Sequence, residues 1–262
     1  MNTEQFSRIS LLVGEENIKT LFDKHVAIVG IGAVGGMALE ALSRAGVGNI
    51  TLVDYDTISV SNINRQIVAT WDTVGKDKAE EAKKRVLSIN KDCNVRVVKD
   101  FFSAESSEEI FSEKYDLVID SIDSLNPKCQ LLEYCYKNDI PIISSMGAAL
   151  KRNPSLIQCG DLFDSYGDPL ARIIRKRMKN RGVGRGIKVI FSPEVVRYDY
   201  KKAENSNKEE TLERGRKRNV LGSLPTVTGI FGLNIAHYAL AMLTDEAEFT
   251  GEKAINKRED IK

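Results

Sequence analysis

Cysteine is scarce in this chain of 262 residues, and its four cysteines, Cys93, Cys129, Cys135 and Cys159, never form a C-x-x-C pair. That scatter speaks against a disulfide framework and against a zinc site built from thiolates. Net charge is only +1, so no global attraction draws the chain to nucleic acid or membrane, and any such bias has to be local. The N-terminus lacks the basic, apolar and small-residue pattern of a secretory signal, which leads us to expect a reducing, cytoplasmic setting. Long apolar runs are missing except from Val220 to Leu243, where Pro225, Asn234, His237 and three glycines suit membrane insertion poorly. Acid is absent between Pro169 and Pro193, where Arg172, Arg175, Lys176, Arg177, Lys179, Arg181, Arg185 and Lys188 are all basic. A solvated helix face mixes signs, so this segment reads as the local site for a polyanion.

The chain is richest in pattern near its start. From Val26 to Val29 a β-branched run enters a glycine turn, an alanine- and leucine-rich helix comes next, and a second run from Ile50 to Val53 ends in Asp54. Strand, helix and strand in this order make a nucleotide-holding unit. Gly30, Gly32 and Gly35 fit G-x-G-x-x-G, where missing Cβ atoms permit a tight turn, a close approach of backbone to phosphate and close packing of helix on strand. The helix opening at Ala33 presents N–H groups and a positive dipole end to an anion. Asp54 closes the second strand, where a carboxylate accepts hydrogen bonds from ribose hydroxyls.

A dehydrogenase binding NAD would share everything up to Asp54. The residues beyond it differ: Asp56, Ser61, Asn62, Asn64, Arg65 and Gln66 crowd polar groups after the strand, and Gly75-Lys76-Asp77-Lys78-Ala79 places a lysine at the start of another helix. Hydride transfer has no use for an arginine and a lysine converging on the nucleotide. A triphosphate does, because they neutralise its outer groups and stabilise charge building on the α-phosphorus.

The runs D-Y-D-T-I-S-V-S-N-I-N-R-Q, G-K-D-K-A and V-I-D-S-I-D-S resemble the adenylating domain of the ubiquitin-activating superfamily, whose bacterial members serve molybdopterin and thiamine synthesis. The likeness runs from about Phe6 to Leu243. It implies an α/β fold, Rossmann-like and doubly wound, with a mostly parallel sheet, helices on both faces and a C-terminal extension. It also implies that Asp54 holds the ribose, that Arg65 and Lys78 meet the phosphates, and that Asp123, beside Ser124, holds Mg²⁺. Arg8 stands where the family has an arginine reaching the ATP site of the other subunit, which implies a homodimer. By the same resemblance Val220 to Leu243 is a returning loop and buried helix.

The organisation expected is one domain, 1–262: N-terminal helices over 1–24, a nucleotide-binding core over 25–150, and a substrate-binding and dimerisation part over 151–243. A mobile loop is expected over 201–219 and a polar tail over 244–262. Within the core, apolar spacing predicts a helix from Lys76 to Asn90, strands at Val95–Val98, Tyr115–Ile119 and Ile140–Ser144, and a helix from Leu125 to Lys137. The small residues from Ser144 to Ala149 leave room for substrate or a partner's backbone, and a plain strand-to-loop transition explains them equally. A strand is expected at Leu156–Cys159, then a helix opened by Asp168 and Pro169. Asp120 reads as structural and Asp123, in the next loop, as the metal position.

These residues suit attack of a carboxylate on the α-phosphorus of ATP. Relatives that activate ubiquitin-like or sulfur-carrier proteins pass the acyl group to a cysteine and often carry two C-x-x-C zinc pairs, and this chain has neither pattern. The run D-P-L-A-R-I-I-R-K-R-M-K-N-R-G-V, with V-I-F-S-P-E after it, is instead similar to a branch that acts on tRNA, the threonylcarbamoyladenosine dehydratases. That likeness implies ATP-dependent cyclisation of the threonylcarbamoyl group, in which the carboxylate is captured by its own ureido group and no enzyme nucleophile is needed. Its partners would be tRNA carrying threonylcarbamoyladenosine and a sulfur-relay protein, with a monovalent cation beside Mg²⁺. The alternatives left open are adenylation of a ubiquitin-like or sulfur-carrier protein and a nucleotide sensor without turnover.

Overall fold

The computed structural model describes residues 3–196, 209–210, 218–219 and 221–244. Two short helices, α1 (Ser7–Val13) and α2 (Glu15–Asp23), meet at Gly14. The alternation then begins with β1 (His25–Val29), α3 (Ala33–Ala45), β2 (Asn49–Val53), α4 (Lys78–Ile89) and β3 (Asn94–Val98). It continues with α5 (Ser107–Ile110), β4 (Leu117–Asp120), α6 (Leu125–Lys137), β5 (Ile142–Ser145), β6 (Gln158–Asp161), α7 (Pro169–Asn180) and β7 (Lys188–Phe191). A two-residue pair comes next, β8 (Glu209–Glu210) against β9 (Arg218–Asn219), and then α8 (Pro225–Leu243).

Seven strands form one sheet in the order β3-β2-β1-β4-β5-β7-β6, parallel throughout except for β6 against β7. The chain leaves β1 toward one edge and returns to β4 on its other side, so a crevice opens above the carboxyl ends of β1 and β4. Strand residues feed two cores by simple alternation. Val26 and Ile28 of β1 join the cluster under α3, α4 and α8, while Ala27 and Val29 join the one under α6 and α7. This is the doubly wound α/β architecture that the motifs imply.

The apolar run near the C-terminus becomes α8, and its packing partners explain its composition. It lies along α3 and against the sheet, burying Val227, Phe231, Ile235 and Ala239. A Cβ on Gly232 would come within 2.4 Å of the Val34 carbonyl oxygen, so glycine is what lets the two helix backbones approach. The helix has the length and mean hydropathy, 1.4, of a membrane span, with half of that window buried within the fold.

Several boundaries differ from the sequence reading. The strand expected at Leu156–Cys159 starts later: Asn153 accepts from the Ser155 N–H and Pro154 opens a 3-10 turn through Leu156, which leaves Gln158–Asp161 to pair with β7. The strands expected at Tyr115–Ile119 and Ile140–Ser144 also begin two residues further on, at Leu117 and Ile142. The loop expected over 201–219 and the tail over 244–262 fall outside the described residues apart from β8, β9 and Thr244.

Candidate active site

The crevice is built first from backbone. Gly30 has φ +90°, and a Cβ there would press to 2.9 Å from the Ser121 carbonyl oxygen. A Cβ on Gly35 would lie 2.0 Å from the Gly30 carbonyl oxygen, whereas one on Gly32 would meet nothing within 4 Å. Two glycines thus seal the turn against β4 and α3, and the third faces open space at the mouth. Gly32 is also the N-cap of α3, with no side chain bonding the first turn, so the N–H groups from Ala33 onward are offered to an anion.

Asp54 locks the turn from β2. One carboxylate oxygen accepts from the Ile31 N–H at 2.6 Å and the other from the Asp56 N–H at 2.9 Å. Lys78 is nearly buried at the start of α4, with its ammonium 2.8 Å from Asp56 and 3.6 Å from Asp54. Burial pushes the Asp54 carboxyl upward while Lys78 pulls against it. For Lys78, burial works against the charge, yet Asp54, Asp56 and the nearby Asp123 hold its pKa above the ordinary value. The lysine is therefore a fixed cation under the crevice rather than a solvated one.

The loop after β2 is folded by its own polar side chains. Ser59 and Asn62 close a reciprocal capping box, with the Asn62 side chain accepting from the Ser59 N–H at 3.1 Å. The Ser61 and Ser59 hydroxyls are 2.8 Å apart. Half-buried Arg65 donates to the Ser61 carbonyl at 2.8 Å and to Asn64 at 2.9 Å. Asn62 and Ser61 thus shape the loop, and Asn64 steadies the guanidinium. Asp123 is exposed in the loop after β4, and Ser124 is the N-cap of α6 without a side-chain cap bond. Arg8 is exposed on α1, which packs on α2.

Two buried polar atoms at this edge have no hydrogen-bond partner, Gln66 Oε1 and Ser121 Oγ. Orphaned groups beside an open glycine turn, with a buried cation and an exposed carboxylate, fit a nucleotide. Among the described residues no three His, Cys, Asp or Glu side chains are arranged to hold a metal. The exposed carboxylate of Asp123 is of the kind that shares Mg²⁺ with phosphate oxygens rather than caging a metal by itself.

Sequence reasoning misses the charges buried around β5. Asp120, structural by that reading, is fully buried and accepts from Lys128 at 2.6 Å, from the Ser144 hydroxyl at 2.6 Å and from the Ile122 N–H at 3.0 Å. Lys128 has the look of an ordinary helix lysine, yet it falls on the apolar stripe with Cys129, Leu132 and Cys135, all buried. Buried Lys151 donates to the Ser192 and Glu194 carbonyls at 2.8 and 2.7 Å.

The basic segment divides in two. Arg172, Lys176 and Lys179 are exposed on α7, where Arg172, Ile173, Lys176, Arg177 and Asn180 line a groove of about 520 Å³. The others are engaged within the chain. Arg175 donates to the Ser165 carbonyl at 2.5 Å and hydroxyl at 2.6 Å, Arg177 donates to Asn126, Arg181 pairs with Glu133 at 2.5 Å, and Arg185 pairs with Asp164 at 2.6 Å.

Comparison with known proteins places this geometry. The family model for the ThiF family matches residues 6–259. The tRNA threonylcarbamoyladenosine dehydratase of Bacillus subtilis is 38% identical, with 92% of this chain and 95% of that one covered. That of Escherichia coli is 36% identical, covering 95% and 96%. A crystal structure of the E. coli tRNA N6-threonylcarbamoyladenosine dehydratase in complex with ATP superposes with a TM-score of 0.82 at 36% identity, covering 94% of this chain and 96% of that one. With its glycine turn, Asp54 and Lys78 set in the same doubly wound frame, the chain belongs to the ThiF family.

Proposed function

We propose that this protein is an ATP-dependent tRNA threonylcarbamoyladenosine dehydratase. The observation that carries the reading is the near full-length likeness, in sequence and fold, to dehydratases of that name, one of them solved with ATP. In the reaction the threonyl carboxylate attacks the α-phosphorus of ATP and pyrophosphate leaves. The ureido group of the same side chain then closes on the activated carbonyl and gives up its N–H proton, while the bond from that carbonyl to the bridging oxygen breaks and AMP leaves with one carboxylate oxygen. Asp54 takes the ribose hydroxyls, and the open N-terminus of α3 takes phosphate. Lys78 and Arg65 oppose charge growing around the α-phosphorus. Asp123 holds Mg²⁺, which screens the phosphates when bound.

The thiols support the same reading. Cys93, Cys129 and Cys135 are buried and Cys159 is half-buried. Burial pushes the Cys93 thiol up to about 12 and raises Cys129 and Cys135 as well. Such thiols are poor nucleophiles, and ring closure within one substrate needs none. A thioester route to a ubiquitin-like or sulfur-carrier protein finds no support among them.

Arg172 and Lys176 bind tRNA phosphates along the groove on α7, which Arg177 also lines, and exposed Lys179 extends the basic surface beside it, while Arg175 and Arg181 hold the helix in place. Leu11 and Leu12, 84% and 80% exposed on α1, favour a homodimer in which Arg8 reaches the neighbouring site. A cytoplasmic setting, a monovalent cation and a sulfur-relay partner belong to the same proposal.

The reading is tested by pyrophosphate release with threonylcarbamoyladenosine-bearing tRNA, unmodified tRNA and no acceptor. Release coupled to loss of one water from the modified nucleoside, in the first case alone, is expected. Release stimulated by a carrier protein and indifferent to tRNA would overturn it.

A further inference from the structure

The segment Met146–Lys151 is clamped from three sides. Gly147 comes three residues after Ser144, as Asp123 comes three after Asp120, the ladder partner of Ser144. The segment therefore rises at the same edge of the sheet as the proposed metal carboxylate. Its first clamp is Asp168, whose carboxylate accepts from the Gly147 N–H at 3.1 Å and, through the other oxygen, from the Ala171 N–H at 2.9 Å as the N-cap of α7. Its second is the Gly222 carbonyl, which accepts from the Leu150 N–H at 2.9 Å. Its third is the pair of carbonyls after β7 that receive Lys151.

Leu150 has φ +65°, a left-handed conformation that a branched side chain adopts only when its surroundings enforce it. The approach at Gly147 is as specific: a Cβ there would sit 3.3 and 3.4 Å from the two Asp168 carboxylate oxygens. Asp168 itself is 2% exposed, so it spends a buried charge on two backbone N–H groups belonging to different elements. Burial pushes its carboxyl upward, and Lys151 is close enough to pull against that rise. A helix cap needs only one of those bonds and works well at the surface. The second bond ties the start of the basic helix to the wall of the crevice.

We infer that Asp168 is a positioning residue for the acceptor side of the reaction. It holds Met146–Lys151 against the N-terminus of α7, so that the threonyl carboxylate of a tRNA seated on α7 meets a wall of fixed shape opposite the nucleotide. The inference rests on the dehydratase reading for its substrate, and on the hydrogen bonds alone for the latch.

Serine at 168 keeps an oxygen for the cap and is too short to reach Gly147, so Asp168→Ser separates the two roles. Steady-state cyclisation of modified tRNA should lose between about tenfold and 10²-fold in kcat, as a misplaced wall does, with KM for ATP held within about twofold. Asp168→Asn, which turns one acceptor into a donor, should fall between. Gly147→Ala should lower kcat in the same way, and its combination with Asp168→Ser should be less than additive. Amide hydrogen exchange of the full chain supplies a readout besides activity: in Asp168→Ser, 146–151 should exchange faster while α7 stays protected. Unchanged kcat in Asp168→Ser, or exchange that rises only in α7, overturns the latch. Wild-type protein inactive on modified tRNA sinks the dehydratase reading, and the exchange comparison still decides the latch.

Discussion

The nucleotide half of the crevice and its acceptor half are built on different principles. Around β1, β2 and β4 the phosphate-facing turn is backbone, formed at Gly30 and Gly35 and the uncapped start of α3, with Asp54 holding Ile31 and Lys78 buried beneath it. Around β5 and β7 it is mostly buried charge, with Lys128 on Asp120, Asp168 on Gly147 and Lys151 on the carbonyls after β7. A backbone site needs particular residues at particular spacings and so writes a motif. A site fixed by buried side chains needs only partners, which come from anywhere in the chain.

The largest effect should come from breaking the charge that joins the two halves. Lys128→Ala leaves Asp120 buried without its cation, and urea unfolding should show a loss of about 3–5 kcal/mol. Replacing both partners by neutral groups of similar size, Asp120→Asn with Lys128→Met, should cost much less. A single variant as stable as the wild type would show that the pair does not hold the halves together.

Next is the nucleotide half itself. Arg65→Ala and Lys78→Ala should each lower the cyclisation rate by about 10² to 10³, the usual consequence of removing one transition-state stabiliser. Lys78→Ala should also unsettle Asp54 and Asp56, which it faces. A change confined to KM for ATP would assign both residues to uniform binding.

On the acceptor side, Arg172→Ala, Lys176→Ala and Lys179→Ala together should weaken tRNA binding and flatten its salt dependence, by about 0.7 in slope for each phosphate no longer neutralised. ATP affinity should not move. Replacing Arg175, Arg177 and Arg181 instead should disturb α7, because those side chains hold Ser165, Asn126 and Glu133. If both triplets weaken tRNA equally with no loss of stability, the division of the segment fails. The smallest effect belongs to the cysteines: with all four replaced by alanine, a folded protein should still cyclise its substrate, and dead protein of native stability would restore a thioester route.

The first half is well written in the sequence and the second poorly. Glycine spacing, Asp54 and the paired runs of β1 and β2 announce the crevice, because a turn against phosphate tolerates few residue types. The role of Asp168 as a helix cap is readable from Asp168-Pro169, but its second bond to Gly147 is not, since nothing local marks a contact across 21 residues. Lys128 does leave a sign, a lysine on an apolar helix stripe. The eight cations look alike in sequence, and their partners, Ser165, Asn126, Glu133, Asp164 and, for Lys188, the Tyr238 ring, tell which are spent on the fold.

The central claim is that the crevice activates a carboxylate carried by tRNA through attack on the α-phosphorus. It is tested most directly by preparing threonylcarbamoyladenosine tRNA with heavy oxygen in the threonyl carboxylate and measuring the products of one turnover by mass spectrometry. The account predicts pyrophosphate without label, AMP carrying one heavy oxygen, and a cyclised nucleoside lacking one water. ADP as the product, or AMP free of label beside a cyclised nucleoside, would contradict it.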